Sequence, residues 1–472
     1  MDERTQQPDW APQIEGTEGP IYLAIADAIG AAVAAGELRA GERLATHRAM
    51  ADTLGVDLTT VTRAYGEARK RGLLQATVGR GTFVRSLGPA PSARSKGREG
   101  PVDLGMNLPP LPADPPLEDL LQKGLSRLLA DTKAAELLTY RSGSGTAEER
   151  AAGAMWLRPM LGDVDPERVL VSPGAQPALL AVLGAVAGSG NAVVTDALTY
   201  PGLRGVAAQL GIRLIGVAAD AEGLLPDALE EACRKLGAKA LYCVPTIHNP
   251  TTVTMPLDRR RSIAGVARRH DLRVVEDDAY GLLPSVPLPA IASLAPDITV
   301  YVATLSKVIS PALRVAYLVA PDASCTARLS AALRANVLMA SPLLIGLATA
   351  WIHDGTAGAV TSAIRRESAA RQRIAREILP AGSFDAHPEG LHLWLRLPPR
   401  WDRRDFVSHL RRMRSLAVVP SDAFAAGTTE PLPAAVRVSL GAAPGREVLQ
   451  AALRSVALAL REERQAPFSE VV

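Results

Sequence analysis

Between positions 86 and 101 the chain reads SLGPAPSARSKGREGP, a stretch of Pro, Gly, Ser and charge with almost nothing to bury. A segment of that composition cannot lie in a core, so the residues on either side must each close a core of their own. A chain of 472 residues is also too long for one small core. Four parts are therefore expected: a polar, disordered N-terminus over 1–19, a compact region over 20–85, a linker over 86–101 and a large domain over 102–472.

The bulk composition excludes several classes. Hydrophobic residues make up 47% and charged residues 21%, as in ordinary globular proteins. A net charge of +3 is no polycation, so any nucleic-acid surface must be a local patch. The three cysteines, Cys233, Cys243 and Cys325, are odd in number and form no CxxC pair, and no HExxH occurs. Neither a disulfide framework nor a metal site is expected. The opening MDERTQQPDW has no apolar signal core, and no run reaches the roughly 18 apolar residues that span a bilayer. A cytoplasmic protein without a membrane partner is expected.

Within 20–85 the pattern is helical. IADAIGAAVAAG has apolar residues at helical spacing and ends at Gly36. Thr46 can cap a second helix that ends at Gly55, and Asp57 a third that runs to Gly72. The tight Gly55-Val56 turn makes the pair a helix-turn-helix. On the third helix Val61, Ala64, Tyr65 and Ala68 share the face that packs. Thr59, Thr60, Arg63 and Glu67 share the face that can enter a major groove. GLLQATVGRGTFV reads as a β-hairpin whose tip carries Arg80 and Gly81. Two glycines let its backbone approach a phosphate strand, with Arg80 as the contact. From Arg39 to Arg85 there are nine Lys/Arg and four Asp/Glu, a local charge of +5 (9 − 4) suited to phosphate. Thr46, Arg48, Thr59, Thr60, Arg63, Arg80 and Gly81 are the candidate contacts to double-stranded DNA.

The segments PIYLAIADAI, GELRAGERLATHRAMADTLGV and TTVTRAYGEARKRGLLQATVGRGTFV resemble the GntR family of winged-helix repressors over about 65 continuous residues. The chain reads Leu44-Ala45-Thr46-His47-Arg48 where that family commonly has LPSSR, and Leu58 where it often has Arg. The resemblance implies a winged helix-turn-helix whose third helix reads bases in its own way.

From Val102 onward, apolar runs of strand length (ERVLVSP, NAVVTD, IRLIGVA, KALYCVP, LRVVEDD, ITVYVATLSK) alternate with helical patterns, which indicates an α/β domain with a mainly parallel sheet. The segment TLSKVISPALR places Lys307 after a strand, next to the hydroxyls of Thr304 and Ser306, with Arg314 downstream. A Schiff-base cofactor needs such an amine, and its phosphate needs hydroxyls and a guanidinium. Asp277, ending LRVVEDD, can keep a pyridine nitrogen protonated, and Tyr280 and Asn249 can bond a phenolic oxygen. VSPGAQPALL is a strand, a Gly turn and a helix whose amides at Ala175 and Gln176 can cradle phosphate. Tyr200 can stack on a ring, and Arg437 can grip a substrate carboxylate. His248 and His392 read as structural.

Taken in order, GAQ, TYPG, NPT, EDDAY and the Lys307-to-Arg314 segment resemble the fold type I aminotransferases over nearly all of 102–462. That likeness implies pyridoxal 5'-phosphate as cofactor. A GntR-type head on such a body resembles the MocR group of regulators. The resemblance implies a homodimer, operator binding modulated by pyridoxal phosphate or an amino compound, and Tyr140 as a phosphate contact given to the other subunit. The chain departs from the pattern at Ile247-His248-Asn249-Pro250-Thr251-Thr252 (commonly HQNPTG), at Pro311-Ala312-Leu313-Arg314 (commonly PGLR) and at Glu389-Gly390-Leu391 (often GGM). The complete cofactor set also leaves open a working aminotransferase acting on an amino acid.

Overall fold

The structure, a computed structural model, describes residues 10–12, 20–35, 37–38, 41–71, 73–77, 81–84, 102–141, 144–427 and 431–462. The linker 86–101, most of 1–19, the helix-ending glycines 36 and 72, and Arg80 lie outside the described residues. The chain divides into two compact units, Met1–Glu99 and Gly100–Val472.

In the first unit, α1 (Ile21–Ala35), α2 (His47–Leu54) and α3 (Leu58–Lys70) precede an antiparallel hairpin, β1 (Leu74–Thr77) and β2 (Gly81–Val84). The caps form where the sequence places them. The Thr46 hydroxyl accepts from Ala49 N at 3.2 Å, and Gly55 closes α2 with φ 65. The Asp57 carboxylate accepts from Thr59 N at 2.7 Å, satisfying an amide that has no partner inside the helix. Val61, Ala64, Tyr65 and Ala68 are all buried, against a cluster that includes Ile25, Ala26 and Ile29 of α1. Each fully buried large side chain of this kind contributes about 1.5–3 kcal/mol. α3 stops at Lys70, two residues before the expected glycine. The Arg71 side chain there bonds both Glu67 and Asp27, tying the helix end to α1.

The second unit begins with β3 (Val102–Asp103), followed by α4 (Leu117–Asp131), α5 (Ala134–Leu138) and α6 (Ala147–Leu161). Next come β4 (Val169–Ser172), α7 (Ala175–Val186), β5 (Ala192–Asp196), α8 (Pro201–Leu210) and β6 (Arg213–Val217). A short hairpin, β7 (Ala219–Asp220) and β8 (Gly223–Leu224), leads to β9 (Ala240–Cys243), β10 (Arg273–Asp277), β11 (Thr299–Thr304) and β12 (Ala316–Val319). The main sheet has the order β4-β12-β11-β10-β9-β5-β6. Only β12 runs against its neighbours. All residues of β4, β5, β9, β11 and β12 are buried. Helices cover such a sheet on both faces, which is why its strands read as continuous apolar runs.

A smaller antiparallel sheet contains β13 (Phe384–Asp385), β14 (His392–Arg396), β16 (Val419–Pro420) and β17 (Ala435–Ser439), in the order β13-β14-β17-β16. β3 pairs in parallel with β15 (Leu416–Ala417). That pairing anchors the segment after β3, which then runs into the site described next. Among the described residues no single helix is long and apolar enough to cross a membrane.

Candidate cofactor and DNA sites

In an open, mostly parallel sheet, ligands bind at the carboxyl ends of the strands. Every candidate cofactor residue of the sequence except Tyr140 and Arg437 follows or ends such a strand. Asp277 ends β10, and Thr304 ends β11 three residues before Lys307. Asn249 follows β9, Tyr200 follows β5, and Ala175 opens the helix after β4. Arg437 reaches the same place from β17, in the smaller sheet.

Lys307 is the centre. Its Nζ donates to Asn107 O at 2.5 Å. Burial, with the nearby Arg437 and Arg314 guanidinium groups, lowers its ammonium to about 8, against the opposing pull of Asp277. The Asn107 amide donates to Tyr280 Oη at 2.8 Å and meets His392 Nδ1 at 3.1 Å. Arg437 donates to Asn249 Oδ1 at 2.7 Å and to Gly105 O at 2.5 Å, its guanidinium 5.0 Å over the Phe424 ring. Segment 105–107 thus links the lysine and the arginine.

Asp277 is near enough to the lysine to act on its charge. Its Oδ2 accepts from Tyr242 Oη at 2.6 Å, while its Oδ1 is buried with no partner. Burial raises the carboxyl to about 6 although the Tyr242 bond opposes this. A desolvated carboxylate with one free oxygen is suited to a cationic N–H, such as a protonated pyridine nitrogen.

The phosphate end has its own geometry. Gly174 caps α7 with φ 106 and no side chain, leaving the Ala175 and Gln176 amides of the first turn uncapped. A Cβ at Gly174 would fall 2.8 Å from Arg314 Nη2, so only glycine lets this guanidinium reach the helix start. Thr304 Oγ1 donates to Ser306 Oγ at 2.9 Å and accepts from Ser306 N at 3.2 Å. Gln176 Nε2 donates to Tyr200 Oη at 2.8 Å. A Cβ at Gly202 would fall 1.9 Å from that nitrogen and 2.4 Å from the Tyr200 ring, so the glycine of TYPG is what admits the pair. An amine, an acid with a free oxygen, an uncapped helix start and an arginine thus fit pyridoxal phosphate. Tyr140 is 84% exposed, and among the described residues no hydrogen bond joins it to this cluster.

Sequence reasoning missed Asn107 and Tyr242. A tyrosine in a buried aliphatic strand demands a hydroxyl partner, and that signal could have flagged Tyr242. Asn107 gave none, because Tyr280, His392 and Lys307 are all distant in sequence.

The burial of Asp277 has a measurable consequence. Its folded-state pKa lies above the ordinary carboxyl value, so the folded chain holds a proton that the unfolded chain releases. Stability therefore falls as pH rises through the window from the ordinary value to about 6. Without cofactor at pH 7, Asp277→Asn should stabilise the protein by on the order of 2 kcal/mol. Denaturant unfolding should show the gap narrowing at pH 5. An Asn variant no more stable than wild type at pH 7 would refute this account.

In the first unit, Thr46, Arg48, Thr59 and Arg63 are exposed and Thr60 is half-buried. The Thr59 hydroxyl also donates to Asp57 at 2.5 Å. The Arg63 guanidinium stacks 4.2 Å over the Tyr22 ring, which fixes it on the α1 side of α3. Gly81 has φ 114, and a Cβ there would lie 2.9 Å from Arg43 Nε. Arg43 therefore packs against the hairpin start, a cation the sequence reading did not single out.

The aminotransferase class I and II family pattern matches residues 99–456, and that of the bacterial regulatory proteins of the GntR family matches residues 21–84. The chain is 30% identical over 447 residues to YdeF of Bacillus subtilis (strain 168), an uncharacterized HTH-type transcriptional regulator, covering 94% of this chain and 95% of that one. It is 32% identical over 311 residues to PdxR, the HTH-type pyridoxine biosynthesis transcriptional regulator of Corynebacterium glutamicum, covering 64% and 66%. Among solved structures, LysN, the alpha-aminoadipate aminotransferase of Thermus thermophilus complexed with N-(5'-phosphopyridoxyl)-L-leucine, aligns with a TM-score of 0.68 at 27% identity, over 84% of this chain and 98% of that one.

Proposed function

The chain belongs to the class I and II aminotransferase family and, with its GntR-type head, is a MocR-type transcription regulator that binds pyridoxal phosphate; on that footing we propose how its residues divide the work. Lys307 is the covalent attachment point, and Asp277 pairs with the pyridine nitrogen. Ala175, Gln176, Thr304, Ser306 and Arg314 hold the phosphate. Tyr200 stacks on the ring, and Asn249 and Tyr280 face its phenolic oxygen. The observation that carries this reading is the half-buried Lys307 amine near the half-partnered Asp277 carboxylate. Bound there, the cofactor supplies an electrophilic carbonyl that an amine can contest with Lys307. Arg437 grips the carboxylate of an amino-acid effector. Thr46, Arg48, Thr59, Thr60, Arg63, Arg80 and Gly81 meet the operator, and the protein works in the cytoplasm.

The functional unit is a homodimer of the large domain, in which Tyr140 completes the partner's phosphate site. Its support is an exposed apolar set on and between α4, α5 and α6: Leu121, Leu129, Leu138, Tyr140 and Met155. Sedimentation of the cofactor-loaded protein should give a dimer. A monomer that still binds cofactor tightly would overturn the shared site.

An effector acts only if it binds two conformations with different affinity. The deciding experiment is an operator titration with cofactor-free and cofactor-loaded protein across a panel of amino acids and vitamers. Operator affinity is expected to shift with the cofactor or a cognate amine. Arg48→Ala and Arg63→Ala should weaken DNA binding and leave the visible spectrum intact. Each lost phosphate contact should flatten the salt slope by about one. The second reading, an amino-acid aminotransferase, draws on Lys307, Asp277 and Arg437 standing together. It replaces the first if operator affinity never moves while transamination turns over at enzymatic rates.

A further inference from the structure

A second cavity of the large domain lies beside the cofactor cluster but contains none of its candidate residues. It has a volume of about 240 Å³ and is lined by Asp196, Leu198, His248, Thr251, Val253 and Met255, among others. The β7–β8 hairpin closes one side through Ala219, Asp220 and Gly223. Most of the lining is apolar, and among the described residues no lysine or arginine contributes to it. Asp220 is held by Arg259 at 2.9 Å, which leaves Asp196 as the acid not bound to an arginine.

Asp196 and His248 are the unusual pair. Both are buried, at 6% exposure each. His248 Nδ1 meets the Thr251 hydroxyl at 2.8 Å, and its Nε2 has no hydrogen-bond partner. That nitrogen lies 3.8 Å from Asp196 Oδ2, too far for a hydrogen bond. Burial lowers the imidazole and raises the carboxyl, and in each case it outweighs the attraction between the two groups. A buried acid and a neutral imidazole acceptor beside an apolar chamber match a ligand that brings a cationic N–H donor and a short hydrocarbon body.

We propose that this cavity is a second, non-covalent binding site for a small organic ammonium ion, with its nitrogen against Asp196 and His248 and its carbon chain among Leu198, Val253 and Met255. The walls also adjoin two cofactor-site candidates. Asp196–Leu198 runs directly into Tyr200, and His248 precedes Asn249, the acceptor of Arg437. The occupant therefore sits immediately behind residues that the first site uses.

The test is calorimetric titration of the full chain loaded with pyridoxal phosphate, using N,N-dimethylbutylamine as probe. A tertiary amine cannot join covalently to the cofactor, so a failure here is separate from a failure of the cofactor reading. Wild type is expected to bind it saturably, and pentanoate, an anion of similar size, is expected not to bind. Asp196→Asn should weaken binding at least tenfold, and Ala219→Phe, which keeps the acid and fills the space, should do the same. The visible band of each variant reports that it is folded. If Asp196→Asn does not fold, Ala219→Phe decides alone. No saturable binding by wild type, wild-type affinity in either folded variant, or equal binding of pentanoate overturns the proposal.

Discussion

Lys307→Ala is expected to abolish the visible absorption band that wild type shows after reconstitution with pyridoxal phosphate. The nucleophile is the neutral amine, and burial sets how much of it exists. With its ammonium lowered to about 8, about a quarter of Lys307 is neutral at pH 7.5, against about one part in a thousand for an ordinary lysine. Lys307→Arg should lose the band as completely, because a guanidinium keeps the charge but cannot act as the amine. Both variants should still retain some cofactor, measured by equilibrium dialysis, through Arg314 and the amides of Ala175 and Gln176. A band that survives in Lys307→Ala would remove the lysine from its central role.

The second large effect is expected at Arg437. Its guanidinium is nearly buried, stacked on Phe424, and tied to Asn249 and Gly105, with Nε unpartnered. Those bonds fix the plane of the fork and leave donor capacity for a carboxylate. Removing one partner of a buried charge pair costs about 2–5 kcal/mol, or roughly 30- to several thousand-fold in affinity. Arg437→Leu should therefore weaken an amino acid that perturbs the visible band by at least about 30-fold. The corresponding amine without its carboxylate should be affected far less. Arg437→Lys should not rescue the loss, since a point charge cannot reproduce the planar fork. Equal weakening of acid and amine would mean that Arg437 supports the site only as a structural tie between Asn249 and Gly105.

Local chemistry was legible in the sequence because it depends on neighbours a few residues apart. Thr46 and Asp57 cap α2 and α3 since a cap needs only an oxygen two or three residues before an amide. The buried face of α3 follows from a 3.6-residue period, and the strands of the main sheet follow from unbroken apolar runs. The candidate cofactor residues stood out for a related reason. An amine, a carboxylate and a glycine turn each follow a strand, and a parallel sheet brings the ends of its strands to one edge.

Tertiary structure alone decided what lies between those ends. Asn107 meets Lys307, Tyr280 and His392 only because β3 pairs with β15 and carries the following segment into the site. Tyr242 finds Asp277 through strand pairing, and Arg314 finds Gly174 because residue 174 has no side chain. The lowered Lys307 ammonium and raised Asp277 carboxyl are likewise products of burial, which composition does not encode. The cavity at Asp196 and His248 lies between segments far apart in the chain, each of which reads on its own as an ordinary strand end. Their apposition comes from the sheet order, in which β9 and β5 are neighbours although β6, β7 and β8 separate them in the chain.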